Sequence, residues 1–141
     1  MSRVYWDSML FVYWLEDHPR YAPRVDYIFR SMLTRGDRFC ASYLSLGEVL
    51  AGPLKHKQTQ LAAKIEQFFD SGLLEMLPFD RKAARQFASL RATTNVSPAD
   101  AIHLACAGAA GVDLFLTHDQ GLHKMRVQGI QFIAGLDVNV F

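Results

Sequence analysis

The sequence predicts an α/β protein in which helices flank a mainly parallel sheet of about five strands. Short runs rich in β-forming residues alternate with longer helical patterns along the whole chain, in the order β-α-α-β-α-α-β-α-α-β-α-β. Strands separated by helices pair in parallel, because the helix carries the chain back across the sheet. A composition of 50% hydrophobic and 21% charged residues argues against disorder. The 141 residues are therefore expected to form one domain.

The first elements surround an aspartate. Arg3–Trp6 is predicted to be a strand, and the apolar run Met9–Leu15 a helix. Asp7 stands between them, at the carboxyl end of the strand. An aspartate at such a turn is commonly a helix N-cap, but this edge of a parallel sheet is also where ligands bind. An amphipathic helix over Arg20–Thr34 follows and is expected to stop at Gly36.

The second strand and its helix place a glutamate in an apolar setting. The strand is predicted over Arg38–Ser42, and the helix begins at Ser42 or Ser45 and ends at Gly52-Pro53. Glu48 lies in the first two turns of that helix among apolar residues. Burying a carboxylate without a partner is costly. Glu48 is therefore a candidate site residue that needs a partner, close to the same sheet edge as Asp7.

The remaining elements follow from the same patterns. They are a helix over Lys55–Asp70, a strand over Leu73–Phe79, a helix over Arg81–Arg91, a strand over Val112–Thr117 and an edge strand over Gln131–Ile133. Asp119 follows the Val112–Thr117 strand directly and leads into a short helix. Its position relative to a strand end therefore repeats that of Asp7.

The segment Ser97-Pro98-Ala99-Asp100 is the clearest helix start in the chain. Ser97 is predicted as the N-cap, with proline at the first helical position and the acid at the third. The helix that follows is almost entirely apolar, so it is predicted to be buried against the sheet. Asp100 then lies at the positive end of a core helix, where the dipole favours its ionised form. It is either a capping residue alone or part of a site.

Four acids are predicted to reach one edge of the sheet: Asp7, Glu48, Asp100 and Asp119. Helices returning from a parallel sheet run against its strands, so their N-termini gather at the carboxyl edge. Such like charges raise one another's pKa values unless cations share the site. Oxygen ligands without thiolates suit Mg²⁺ or Mn²⁺, and such a centre can hydrolyse a phosphodiester. Outside this set, ten acidic residues face 15 basic ones, a balance suited to a polyanion.

These segments resemble the PIN-domain nucleases and, more narrowly, the VapC toxins of prokaryotic toxin–antitoxin pairs. The resemblance rests on Asp7 after the first strand, Ser-Leu-Gly-Glu-Val ending just past Glu48, Ser-Pro-Ala-Asp-Ala-Ile-His-Leu-Ala around Asp100, and Phe-Leu-Thr-His-Asp ending at Asp119. It covers nearly the whole chain and implies a single PIN-like domain over residues 1–141, folded as a three-layer sandwich. It also implies a Mg²⁺- or Mn²⁺-dependent endoribonuclease that cuts RNA, forms a homodimer and is held inactive by a cognate antitoxin.

The resemblance also assigns roles to residues. It implies that the catalytic and metal-binding set is Asp7, Glu48, Asp100 and Asp119, with the last completing the site directly or through water. Thr117 matches the family's threonine two residues before the last acid and is carried over as a supporting residue. Met9 departs from the Asn or Ser often found two residues after the first aspartate, and the neighbouring Ser8 is kept as a supporting residue with its role left open. His118 replaces a small polar residue and is given no role.

Other features set the alternatives. His103 lies three residues after Asp100, but a lone histidine there is more often a packed or hydrogen-bonded helix residue than a catalytic one. Cys40 and Cys106 fall in core segments, and the chain shows no signal peptide and no stretch long enough to span a membrane, which predicts a cytoplasmic protein.

Two other functions are compared with the nuclease. A phosphotransferase of the D-x-D type needs a second aspartate two residues after Asp7, where this chain has Met9. The main rival is a catalytically inert module that uses the same acids to grip a basic partner peptide.

Overall fold

The computed structural model describes residues Met1–Phe141 and contains five strands and seven helices in the predicted order. The α/β prediction is confirmed. The elements are β1 Arg3–Trp6, α1 Ser8–Leu15, α2 Ala22–Arg35, β2 Arg38–Ala41, α3 Tyr43–Lys55, α4 Thr59–Phe69, β3 Leu74–Met76, α5 Arg81–Thr93, α6 Pro98–Ala110, β4 Leu114–Leu116, α7 Gln120–His123 and β5 Phe132–Ala134.

The sheet has the strand order β3-β2-β1-β4-β5, and every neighbouring pair is parallel. The chain builds outward from β1 through β2 to β3, then crosses back to place β4 and β5 on the other side of β1. The direction of growth therefore reverses between β1 and β4. In open α/β sheets, ligands bind outside the carboxyl ends of the strands at such a reversal. Asp7 and Thr117 are the residues that directly follow these two strands.

Side chains of β1 alternate between two apolar cores, which makes the protein a three-layer sandwich. Trp6 packs with helices α1 to α4 on one face of the sheet, where Phe11 and Ile28 are also fully buried. Tyr5 packs on the opposite face with α5 and α6, and its ring stacks on Phe115 at a centroid distance of 5.1 Å. Strand periodicity of two sends neighbouring side chains to opposite faces, so one short strand serves both cores.

The prediction that Gly52-Pro53 ends the third helix is wrong. Helix α3 continues through Pro53 to Lys55, and α4 begins at Thr59 rather than at Lys55. Proline lacks an N–H and so removes one hydrogen bond, but it lies in the last turn, where few bonds remain to be broken. The N–H of His56 still donates to the Gly52 carbonyl at 3.0 Å. A proline near a helix end is therefore a weak stop signal here.

Two predicted strands are longer than the observed ladders. β3 covers Leu74–Met76 rather than Leu73–Phe79, and β4 covers Leu114–Leu116 rather than Val112–Thr117. The flanking residues include Leu77 and Val112, which are buried without being part of a strand. Apolar side chains report burial, whereas strand length depends on which backbone groups find partners. The core was therefore predicted better than the hydrogen-bonded ladder.

Helix α6 is buried as predicted, and its caps explain why it starts and stops where it does. The Ser97 hydroxyl accepts a hydrogen bond from the Asp100 N–H at 3.2 Å. Gly111 ends the helix with φ 75°, a left-handed conformation that favours glycine. Both cysteines are buried and free. None of the helices combines the length and the apolar character that crossing a membrane requires.

Candidate active site

A cleft of about 490 Å³ lies at the carboxyl edge of the sheet, and all four predicted acids line it. The acids come from four places in the chain: the N-cap of α1, the second turn of α3, the first turn of α6 and the N-cap of α7. No lysine or arginine is among the lining residues, which are Asp7, Ser8, Met9, Val12, Glu48, Ala51, Asp100, His118 and Asp119. The folded chain thus brings these carboxylates to one cleft.

Both oxygens of Asp7 accept hydrogen bonds. Oδ1 accepts from the Ser8 N–H at 2.8 Å, which caps α1, and Oδ2 accepts from the Thr117 hydroxyl at 2.7 Å. Thr117 is fully buried at the end of β4, and its hydroxyl oxygen also accepts from the Asp119 N–H at 3.1 Å. One buried hydroxyl therefore connects the first and last predicted acids. Capping and a place in the cleft are combined in Asp7 rather than being alternatives.

Glu48 is held through a single oxygen. Its Oε1 accepts from the Ser8 hydroxyl at 2.6 Å and from Nε2 of His103 at 2.5 Å, while Oε2 has no hydrogen-bond partner. The hydrogen bond from His103, assisted by that from Ser8, holds the pKa of the Glu48 carboxyl below its ordinary value despite partial burial. Ser8, whose role the sequence left open, thus donates its hydroxyl to the second predicted acid and its backbone N–H to the first.

His103 is the packed, hydrogen-bonded helix residue that the sequence favoured, but its partners were not predicted. It is buried as expected of a packed helix residue, with 1% of its surface exposed, but its Nε2 contacts Glu48 and lies 3.9 Å from Asp7 Oδ1. Its Nδ1 lies 2.6 Å from the hydroxyl of Tyr5, which is fully buried in β1. The available signal was its position three residues after Asp100 on the same helix face, combined with a glutamate on an apolar stripe that needed a partner.

Asp100 and Asp119 are less constrained. Asp119 caps α7 through Oδ1, which accepts from the Gly121 N–H at 2.9 Å, and its Oδ2 has no partner. Partial burial raises the pKa of Asp100, and the negative charges of Asp7 and Asp119 raise it further. The direction of this pKa shift is opposite to the one that the helix dipole alone would give, because burial and like charges outweigh the favourable N-terminal position.

The donor chemistry of the cleft fits a divalent cation of the Mg²⁺ or Mn²⁺ type. The acids supply only oxygen donors, no Lys or Arg lines the cleft with them, and burial together with their mutual repulsion raises the pKa of Asp100. In this conformation, however, no group of three or more His, Cys, Asp or Glu side chains is close enough to hold a metal ion. The fit therefore concerns ligand type and charge, and a coordinating arrangement requires side-chain rotation.

Residues 4–128 match the family model described as the PIN domain. The chain belongs to the PIN domain family. The resemblance drawn from the sequence motifs is thus confirmed at the level of the family. A search of curated protein sequences found no significant match.

Solved structures share this PIN fold. A chain of the VapBC2 complex from Rickettsia felis, crystallised with a DNA fragment from its promoter, superposes with a TM-score of 0.73 at 19% identity, over 94% of this chain and 98% of that one. A toxin–antitoxin complex from Klebsiella pneumoniae gives 0.64 at 17% identity, over 90% and 94%. VapBC-5 from Mycobacterium tuberculosis gives 0.60 at 20% identity, over 94% and 98%. At these identities the likeness concerns the fold.

The departure of this PIN domain at Met9 is visible in the cleft. Met9 is 44% exposed and lines the cleft, whereas Ser8 is buried and provides the hydroxyl. His118, which was given no role, stands in the cleft wall, where its Nδ1 lies 2.8 Å from the Tyr13 hydroxyl and its ring packs edge-on against Tyr21. The polar contact at this corner is therefore made by the residue directly after Asp7 and not by the one two residues after it.

Proposed function

We propose that this PIN domain is a metal-dependent endoribonuclease and the toxin of a toxin–antitoxin pair. It hydrolyses RNA phosphodiester bonds at a site formed by the carboxylates of Asp7, Glu48, Asp100 and Asp119. The observation that carries the proposal is the cleft itself: four carboxylates from four separate elements line it at the point where sheet growth reverses, and no Lys or Arg neutralises them. A structural cluster of acids is normally paired with cations, whereas a cluster left unpaired suits a cationic cofactor.

The residues divide into ligands and supports. Asp7, Glu48 and Asp100 are the proposed ligands of Mg²⁺ or Mn²⁺, and Asp119 completes the set directly or through water. When bound, such an ion activates water and stabilises charge on the phosphoryl oxygens. Thr117 orients Asp7 through a 2.7 Å hydrogen bond, and Ser8 orients Glu48 through one of 2.6 Å. The expected products carry a 5′-phosphate and a 3′-hydroxyl.

The first test is RNA cleavage by the purified chain, freed of any bound partner, with Mn²⁺ or Mg²⁺ and with EDTA. Asp100→Asn is expected to lower cleavage by more than about a hundredfold, since even changes around a metal's direct ligands cost about 10- to 100-fold. Asp70→Asn, at the exposed end of α4, is the matched control and should cleave normally. Full activity of Asp100→Asn removes that residue from the site, and full activity in EDTA removes the metal.

The assembly proposals follow from the resemblance. We propose one domain over residues 1–141, acting in the cytoplasm as a homodimer that a cognate antitoxin inhibits. The support is that the similar solved structures are toxin–antitoxin complexes. We expect a small antitoxin to be encoded next to this chain, and co-expression of the two should yield a complex that does not cleave RNA. If that protein does not bind, or if the complex cleaves as fast as the free chain, the inhibitor proposal fails.

The alternative of an inert binding module has one observation in its favour. The cleft carries acids without cations, and such a surface also suits a basic peptide. The two functions differ in a simple assay. A purified chain that binds its partner tightly but cleaves no RNA with either metal is the module, and cleavage that Asp100→Asn abolishes is the nuclease.

A further inference from the structure

The anchoring of Glu48 is asymmetric. Both of its hydrogen bonds, from Ser8 and from His103, fall on Oε1, and Oε2 has no protein partner. The Glu48 side chain lines the cleft and is 37% exposed, whereas that of His103 is 2% exposed. A glutamate has three rotatable side-chain bonds and loses rotamer freedom when it is fixed. Here that freedom is already restricted by contacts behind the carboxylate.

A chain of buried hydrogen bonds holds His103 in turn. Its Nδ1 lies 2.6 Å from the Tyr5 hydroxyl, whose oxygen lies 2.9 Å from the Ser42 hydroxyl. Ser45 lies within 3.4 Å of both of those hydroxyls. The chain of contacts thus runs from the end of β2 through β1 and α6 to α3. Every atom of it behind Glu48 belongs to a buried residue, so the imidazole has little freedom to turn.

We propose that His103 is a positioning residue: its Nε2–H fixes Oε1 of Glu48, so that Oε2 is left as the donor atom for a divalent cation in the cleft. The inference rests on the proposed function and assigns a role to a residue outside the four carboxylates. Partners behind a metal ligand commonly restrict its orientation and raise its affinity for the ion. The opposite role predicts the opposite result. If His103 held Glu48 away from the ion, replacing His103 would strengthen Mn²⁺ binding.

A matched pair of substitutions separates these roles. In His103→Gln the side-chain amide nitrogen reaches close to the position of Nε2 and can still donate to Glu48, whereas in His103→Asn it stops near the position of Nδ1. The Mn²⁺ affinity is measured by calorimetry. His103→Asn is expected to weaken binding about tenfold, the lower end of the effect for such partners, and His103→Gln to recover most of the loss.

A double variant tests whether the effect passes through Glu48. In a Glu48→Gln background, His103→Asn is expected to cause no further loss of Mn²⁺ affinity, because the side chain that it positions is no longer a carboxylate. The metal-free melting temperature checks that each variant is folded. Tyr5→Phe, which removes only the hydroxyl that holds Nδ1, is a second route to the same result with little change in packing, and it is expected to weaken binding in the same direction.

The outcomes divide cleanly. Unchanged or tighter Mn²⁺ binding by both His103→Asn and Tyr5→Phe overturns the inference, as does a loss of equal size in the Glu48→Gln background or a parent chain that binds no Mn²⁺. The proposed function is decided by a separate readout, the cleavage of RNA. A parent chain that binds Mn²⁺ but cleaves no RNA contradicts the nuclease proposal while leaving the positioning of Glu48 measurable.

Discussion

The two ends of helix α6 carry opposite arrangements of charge. At the C-terminal end, the Arg3 guanidinium donates to the carbonyl of Ala110 and forms an ion pair with Glu75 at 2.7 Å. At the N-terminal end, Asp100 has Asp7 and Asp119 as charged neighbours, and no Lys or Arg lines the cleft that they share. One end is neutralised, and the other collects like charges.

The C-terminal end of α6 lies at the amino edge of the sheet, where Arg3 begins β1. At this edge, acidic side chains are paired with cations or with N–H donors. Glu75 also lies 3.6 Å from Arg38, and Asp37 lies 3.3 Å from Arg35. A cation near the C-terminal end of a helix is favoured by the helix dipole, so Arg3 has two reasons to be there. The hydrogen bond to Glu75 is the largest cause of the raised pKa of Arg3. This edge is arranged as expected when stability is the only requirement.

At the carboxyl edge, the acids receive hydroxyl, amide and imidazole hydrogen bonds instead of ion pairs with Lys or Arg. The raised pKa of Asp100 shows that its ionised form is disfavoured there, chiefly by burial and also by its neighbours. Regions where local electrostatics oppose stability are typical of functional sites. The difference between the two ends therefore supports the proposal that the cleft is the functional site, without reference to any relative.

The largest expected effect comes from giving the carboxyl edge the cation that it lacks. Met9→Lys places an ammonium among the lining acids, because Met9 lines the same cleft and is 44% exposed. The lysine should pair with the carboxylates and exclude a divalent ion. RNA cleavage is expected to fall by more than about a hundredfold, the upper range for disturbing a metal's surroundings, and Mn²⁺ should no longer raise the melting temperature.

Met9→Leu is the matched control, since it keeps the apolar character and the approximate volume of the side chain. It should cleave RNA and respond to Mn²⁺ like the parent. If Met9→Lys retains full cleavage and a full Mn²⁺ response, the acids of this cleft do not work through a bound cation, and the contrast between the two edges loses its functional meaning.

A smaller effect, on stability alone, is expected from removing the cation at the amino edge. Arg3→Met keeps the apolar stem but loses the ion pair with Glu75 and the hydrogen bond to Ala110. Urea unfolding should show a loss of about 1–2 kcal/mol, reduced from the value for a buried charged hydrogen bond because Arg3 is partly exposed. Cleavage per folded molecule should not change.

Arg38→Met gives the comparison for that loss. Arg38 is 64% exposed and lies 3.6 Å from Glu75, so its removal should cost less than about 0.5 kcal/mol. Equal losses for the two arginines would mean that the pairing at Ala110 and Glu75 adds nothing to the end of α6. A loss of cleavage in Arg3→Met would mean that the two ends of the helix are coupled.

The sequence predicted the parts of this molecule that depend on pattern and topology. The element order follows from hydrophobic periodicity, and the four acids reach one edge because strand ends and helix N-termini meet there. The contact between His103 and Glu48 depends instead on side-chain rotamers and on the spacing of α6 from α3. Residues 55 positions apart in the chain give no periodic signal, so only the fold brings this pair together.

Element ends were predicted less well, for a related reason. The chain passes Pro53 without leaving α3, because the remaining bonds of the last turn and the burial of that proline keep the helix intact. Val112 and Leu77 are apolar core residues outside the ladders. Sequence patterns report which side chains are buried, and the exact limits of each element depend on packing that forms only in the folded chain.

The smallest effect concerns the charge of Asp100 in the metal-free protein. Burial and the charges of Asp7 and Asp119 raise its pKa in the folded state, so the folded chain holds this proton more tightly than the unfolded chain does. The contribution of Asp100 to stability is therefore present below the unfolded pKa and is lost as pH rises through the folded pKa. Asp100→Asn, which stays neutral, should become more stable than the parent by a few tenths of a kcal/mol at neutral pH, a value kept small by solvent screening.

Melting temperatures of both proteins in EDTA, from about pH 4 (near the ordinary pKa of an aspartate) to neutrality, measure this effect. The advantage of the variant should grow as pH rises and nearly vanish at the acid end, where the parent carboxyl is also protonated. Adding Mn²⁺ at neutral pH should reverse the order, because an ion bound only by the folded parent stabilises it by mass action. An advantage that shrinks as pH rises would mean that the dipole of α6 outweighs the neighbouring acids, and that the two ends of the helix are stabilised alike.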